Sequence, residues 1–84
     1  MKSICEFKVG DFIEILSVNL LKYQKERMLS IGFTRGAIIE VIRIGPKKNL
    51  TVFDVRGAMI ALREEESKFI YGKKFKEELW DLQM

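Results

Sequence analysis

The 84-residue sequence contains no histidine, and it has only one cysteine and one proline. Histidine is the usual general base and the commonest metal ligand, so its absence excludes a Ser-His or Cys-His nucleophile and a zinc ligand cluster. The lone Cys5 cannot form an intramolecular disulfide, and it fits a reducing cytosol better than a secreted disulfide scaffold. We interpret it as a buried or half-buried small apolar residue near the start of the fold.

Long apolar runs are also missing. The longest apolar stretches surround Glu14 or cover residues 58–62, far short of the roughly 20 residues that span a bilayer. The N-terminal residues lack the apolar segment of a signal peptide and soon meet the acidic Glu6. We therefore expect a cytoplasmic protein. Its composition, 48% hydrophobic and 32% charged, is typical of one small globular domain.

The net charge of +3 is unevenly distributed along the chain. Residues 20–57 hold eight Lys and Arg residues against three acidic residues, whereas each flank is slightly acidic. A basic central block is a candidate for contact with an acidic protein surface or with phosphate. Isolated basic residues along strands are more often a solvated face, and that simpler interpretation stays open.

The apolar pattern predicts a mainly β fold with one inserted helix. Alternating apolar residues between turn signals predict five strands, at residues 11–18, 37–44, 50–55, 58–62 and 68–71. Residues 20–30 change to helical spacing, and Gly32 stands where a C-terminal cap is expected. Five short strands favour a small closed barrel, since closure removes the unpaired edges of an open sheet.

The C-terminal residues 73–84 differ from the preceding domain, residues 1–72. Phe75, Leu79 and Leu82 recur at i, i+4 and i+7 with Trp80 beside them, which predicts an amphipathic helical tail. The tail would either pack across the open end of the barrel or dock on another protein. It also leaves a homo-oligomer open as a hypothesis, through a swapped tail helix or edge-strand pairing.

No constellation in the sequence indicates catalysis. The consecutive Glu64, Glu65 and Glu66 point about 100° apart on a helical turn and do not converge on one atom. The glycines form neither a dinucleotide-binding motif nor a P-loop. Glu40 and Asp54 could face each other across adjacent strands, although basic partners are the simpler interpretation. We therefore predict no catalytic residue, no cofactor and no metal site, and a protein that is not an enzyme.

Several short segments, in this order and spacing, resemble the FeoA family, ferrous iron transport protein A. They are Lys8-Val9-Gly10, residues 26–36, Gly45-Pro46, and Gly57 followed by residues 60–66. The resemblance covers about residues 7–72 and implies a small SH3-like β-barrel. It also implies an accessory role in bacterial ferrous iron uptake, through protein-protein contact with FeoB, a membrane permease that carries a cytoplasmic GTP-binding domain.

The match to the family pattern is not complete. The turn at Arg35-Gly36 lacks the family's usual proline, and Ser67 stands where the family commonly has alanine. The same barrel resembles the C-terminal domain of DtxR-type iron-dependent repressors, so an SH3-like regulatory or nucleic-acid-binding module is the alternative. Only the basic central block supports that alternative, and the helical DNA-binding domain of those repressors is missing from this chain.

Contact residues for a permease are expected around the inserted helix, where an element can protrude from a barrel. The candidates are Arg27, Met28, Leu29, Ile31 and Phe33, together with Trp80 of the tail. We expect Arg27 and Met28 to be exposed, whereas Leu29, Ile31 and Phe33 have core packing as their alternative. On this hypothesis the substitution M28D abolishes permease binding and leaves the melting temperature nearly unchanged.

Overall fold

The structure is a computed structural model, and it describes residues 1–75. The described chain forms six strands and two helices. The elements are β1 (Lys2–Ser3), β2 (Phe12–Val18), α1 (Lys22–Ser30), β3 (Ile38–Ile44), β4 (Leu50–Val55), β5 (Ala58–Arg63), α2 (Glu64–Ser67) and β6 (Ile70–Lys74). Single 3₁₀ turns follow β1, at Ile4–Glu6, and precede β4, at Pro46–Lys48.

The strands form one antiparallel sheet in the order β1-β6-β2-β3-β4-β5. β4 and β5 are joined by a tight turn in which Arg56 and Gly57 both have positive φ, at 55° and 85°. This pair of left-handed residues matches the twist of a two-residue hairpin. The Gly57 N–H donates to the Asp54 carboxylate at 2.8 Å, which stabilises this turn.

The core lies inside the curved sheet and follows the period of two along β4, with interruptions in β2 and β3. Phe33 and Phe53, both fully buried, meet edge to face with ring centroids 5.9 Å apart. Around them lie the other buried apolar side chains, which are Ile4, Phe7, Ile13, Ile15, Val18, Met28, Ile39, Val41, Val55, Leu62 and Ile70.

Two irregularities bend the sheet around this core. The β2–β6 register shifts between Ile15 and Ser17, and the β3–β4 register shifts between Val41 and Arg43. Such shifts increase local twist and re-aim side chains. The second shift accounts for the interrupted alternation at Ile42 of β3.

β1 and α2, which are far apart in the sequence, contact each other in the fold. β1 and β5 are the outer strands of the sheet, and α2 follows β5 directly. The Ser3 hydroxyl donates to the backbone carbonyl of Ser67 at 3.1 Å, and both residues are buried. Cys5, half-buried as predicted, donates its backbone N–H to the same hydroxyl at 3.3 Å. These contacts join the β1 end of the sheet to α2.

The mainly β architecture of about five strands with an inserted helix is confirmed, and the structure adds one further short strand, β1. β1 has only two residues, too short to show an alternating pattern. β6 runs from Ile70 to Lys74, so it includes two lysines that the sequence analysis assigned to the tail. Phe75, the next residue of that predicted helical tail, donates its backbone N–H to the Phe12 carbonyl at 2.8 Å, and residues 76–84 with Trp80 lie outside the described residues.

Candidate functional site

α1 carries most of the residues predicted to bind a partner, and hydrogen bonds and packing hold its C-terminal end in place. The Phe33 N–H donates to the Met28 carbonyl at 3.0 Å, and Gly32 between them has φ +113°. A Cβ on Gly32 would lie 2.6 Å from the Val55 side chain. The chain therefore leaves α1 through a left-handed glycine pressed against β4, which sets the direction of the helix.

Met28 is the only buried residue of α1, so the expectation that it is exposed is wrong. The remaining residues from Lys22 to Ser30 are exposed. A helix that touches the barrel through one turn must bury at least one apolar side chain there, and Met28 fills that role. Nearly the whole surface of α1 is left open to solvent.

The structure separates the other three apolar candidates. Phe33 is fully buried in contact with Phe53, and Ile31 is half-buried against the core, as their core-packing alternative expected. Leu29 differs, with 38% of its surface exposed. Tyr23, near the start of the same helix, is 82% exposed. Leu29 and Tyr23 are therefore available for contact, whereas Phe33 acts through packing.

Arg27 is exposed as expected, and it connects α1 to α2. Its guanidinium Nη1 lies 2.8 Å from the Glu66 carboxylate, and 61% of the Arg27 side chain is accessible. Glu66 also accepts the Arg63 backbone N–H at 3.4 Å, near the start of α2. The pair aligns two short helices at the surface.

We expect Arg27→Ala to lower the free energy of unfolding by less than about 1 kcal/mol, because solvent screens an exposed ion pair. Urea unfolding followed by circular dichroism measures this, with Lys22→Ala on the same helix as the control. If Arg27→Ala lowers the free energy of unfolding by several kcal/mol more than the control does, the interpretation of the pair as an exposed surface contact is wrong.

A groove of about 200 Å³ runs between α1 and β2. Its apolar surface includes Leu29, and its cationic groups are Lys25 and Arg35. The buried Ser17 hydroxyl also lines it and has no hydrogen-bond partner in the described structure. We call α1 and this groove the helix surface. It combines exposed apolar groups with basic ones and suits a protein segment that carries apolar and acidic side chains.

The acidic residues that could lie close together according to the sequence are not arranged as a metal site in the described structure. Glu40 and Asp54 are register partners on β3 and β4, as the spacing suggested. Within residues 1–75 no group of three or more His, Cys, Asp and Glu side chains is arranged to hold a metal ion. Over the same residues, none of the helices has the length and apolar character needed to cross a membrane.

Solved structures with the same fold come from several bacteria. A FeoA protein of Chlorobium tepidum is 28% identical, with a TM-score of 0.82 over 90% of this chain and 71% of that one. A FeoA-like protein of Clostridium acetobutylicum is 19% identical, with a TM-score of 0.78 over 92% of each chain.

A third structure adds a description of the fold. The FeoA of Stenotrophomonas maltophilia, solved with zinc, is 21% identical, with a TM-score of 0.77 over 87% of this chain and 91% of that one. That protein is described as an SH3 domain protein and a candidate activating factor of ferrous iron transport. The predicted SH3-like fold is thus confirmed.

The sequence itself matches a protein family over nearly its whole described length. The matched residues are 2–74, and the family is the FeoA domain. No match is found among curated proteins. The matched range includes all six strands, α1 and α2, and so every described element of the fold. This chain belongs to the FeoA family.

Proposed function

We propose that this protein is a cytoplasmic accessory factor of bacterial ferrous iron uptake, and that it binds the cytoplasmic part of a FeoB-type permease and modulates its activity. Membership of the FeoA family supports the link to ferrous iron transport. The observation that carries the binding step is the exposure of α1, in which Met28 is the only buried residue. A binding role, without catalysis, fits these features.

The helix surface provides the chemistry for such a contact. Tyr23 and Leu29 offer exposed apolar area, and Lys25, Arg27 and Arg35 place positive charge beside it. Apolar anchors surrounded by charged groups are typical of protein interfaces, in which the anchors carry most of the binding energy. The permease segment that binds here would therefore present apolar and acidic side chains.

The test is the double substitution Y23D/L29D. Because both side chains are exposed, the variant should fold, while two carboxylates would disrupt an apolar contact. We expect binding to the solubilised permease of the same host to weaken by about 10-fold or more. In cells that lack the native protein and express this variant, uptake of radiolabelled ferrous iron should be the same as in cells that express no copy of the protein.

The matched control is V9D/L50D, which also changes two exposed apolar residues to aspartate, away from α1. It should bind the permease and support uptake like the unmodified protein. Normal binding by Y23D/L29D would reject the helix surface as the contact. If deletion of the protein leaves ferrous iron uptake unchanged, the proposed function itself is wrong.

A further inference from the structure

A second surface feature lies on the β1–β6 side of the fold, away from the residues that the sequence analysis selected. It is a pocket of about 510 Å³, within the range of small-ligand sites. Phe7 and Gly72 contribute to its lining. Four lysines also line it, and we call it the lysine pocket; they are Lys2, Lys8, Lys73 and Lys74.

Strand pairing brings these lysines together from the two ends of the described chain. Lys2 on β1 is the register partner of Gly72 on β6, so Lys73 and Lys74 follow directly beside it. Lys8 belongs to the turn before β2, and its backbone N–H donates to the Asp11 carboxylate at 2.9 Å. The pocket is thus built on two hydrogen-bonded strands and a turn closed by a side-chain contact.

Positive charge exceeds negative charge in this pocket. Lys74 Nζ lies 3.5 Å from the Asp11 carboxylate, with more than half of the lysine side chain exposed. Lys2 Nζ lies 4.6 Å from the centroid of the Phe7 ring. Neither Lys2 nor Lys8 forms a salt bridge with a carboxylate within residues 1–75. Within the described residues, two ammonium groups therefore have no carboxylate partner and could meet an added anion.

The pKa of the Asp11 carboxyl group also reflects its surroundings in the lysine pocket. Its pKa lies below the usual value, first because its carboxylate accepts the Lys8 backbone N–H and then because Lys74 and Lys2 place positive charge nearby. Asp11 remains ionised at neutral pH and offsets part of the lysine charge. The other lining carboxylate, Glu6, accepts the Ser3 backbone N–H at 3.2 Å.

We propose that the lysine pocket binds a phosphate-bearing ligand, a role that goes beyond permease binding and does not depend on it. Among residues 1–75 the lining includes four lysines and no arginine, so an anion here meets ammonium groups, and the planar guanidinium fork that binds a carboxylate or a phosphate with two parallel hydrogen bonds is missing from this part of the lining. Ammonium groups act as compact point charges with several donors, and they suit the multiply charged oxygens of a phosphate group. Peptide carboxylates are the less favoured ligand.

Inorganic pyrophosphate is the probe, titrated into the full-length protein at low salt by isothermal calorimetry. We expect K2Q/K8Q to weaken its binding by about 10-fold or more, because this variant removes two ammonium groups and leaves the Asp11–Lys74 pair intact. The matched control is K47Q/K48Q, which removes two lysines from the exposed turn before β4. The control should change the affinity by less than about twofold.

A second arm distinguishes a free phosphate from a lipid headgroup. Flotation with phosphatidylglycerol vesicles, compared with phosphatidylcholine vesicles, reports headgroup binding. If pyrophosphate binds and K2Q/K8Q weakens that binding, the result supports a free phosphate ligand. If the protein floats with phosphatidylglycerol vesicles, and K2Q/K8Q but not K47Q/K48Q abolishes this flotation, the result supports a lipid headgroup. The proposal is overturned if neither probe binds, if K47Q/K48Q weakens binding equally, or if only a poly-glutamate peptide binds. None of these outcomes depends on the permease.

Discussion

Met28→Asp is expected to destabilise the fold severely. Met28 is fully buried, and its substitution removes an apolar side chain from the core and places a carboxylate there without a partner. The combined cost is about 4 kcal/mol or more, against a total stability of about 4 to 12 kcal/mol for a chain of this length. Thermal and urea unfolding followed by circular dichroism should show a protein that has lost about 4 kcal/mol or more of its free energy of unfolding, with both midpoints far below those of the unmodified protein.

Two matched variants separate burial from charge. Met28→Leu keeps an apolar side chain of similar volume and should cost less than about 1.5 kcal/mol. Leu29→Asp introduces the same charge one residue later, at an exposed position, and should cost about 1 kcal/mol or less. A well-folded Met28→Asp with a melting temperature near that of the unmodified protein would contradict the position of α1 described above.

The sequence alone suggested a different interpretation of Met28→Asp. On that interpretation, a loss of permease binding by this variant would have been taken as the loss of a direct contact. With Met28 in the core, the same result would report unfolding. The substitutions at Tyr23 and Leu29 test the contact without that ambiguity, because both side chains are exposed.

The strands could be predicted from sequence because each one carries its own signal. In β4, Thr51, Phe53 and Val55 are buried and the residues between them are not, as the period of two requires. The Arg56-Gly57 turn likewise depends on adjacent residues only. The helix α1 was also predictable as a helix, from its composition and the following glycine.

Which side of α1 faces the core could not be predicted. Met28 and Leu29 are neighbouring apolar residues that point about 100° apart, and either could have faced the barrel. The choice depends on how Gly32 packs against Val55, a residue of β4 that is distant in the sequence. Local periodicity holds no information about that contact.

The lysine pocket was hidden from the sequence for a related reason. Lys2 and Lys8 lie in one flank and Lys73 and Lys74 in the other, and the charge count made both flanks slightly acidic. Only the pairing of β1 with β6 brings the two groups together. A two-residue strand has no pattern from which that pairing, or its register, could be inferred.

Gly72→Ala is expected to be the second severely destabilising change. Gly72 is buried on β6, where it pairs with Ile15 of β2 and with Lys2 of β1. A Cβ at this position would lie 2.5 Å from the Ile13 side chain and 2.6 Å from the Glu14 carbonyl oxygen. The Ile13 methyl could shift, but the carbonyl belongs to the backbone of β2 and cannot. We expect a cost of about 3 kcal/mol or more, measured by urea unfolding.

The matched control is Gly36→Ala, because it separates steric overlap from backbone strain. Gly36 has φ +88°, and a Cβ there would meet no atom within 4 Å. Its substitution should cost only about 1 kcal/mol, the penalty for a left-handed alanine. Equal losses for the two variants would contradict the close approach of β6 to β2. A much larger loss for Gly72→Ala, with pyrophosphate binding lost as well, would show that this close approach holds β6 and its two lysines in place.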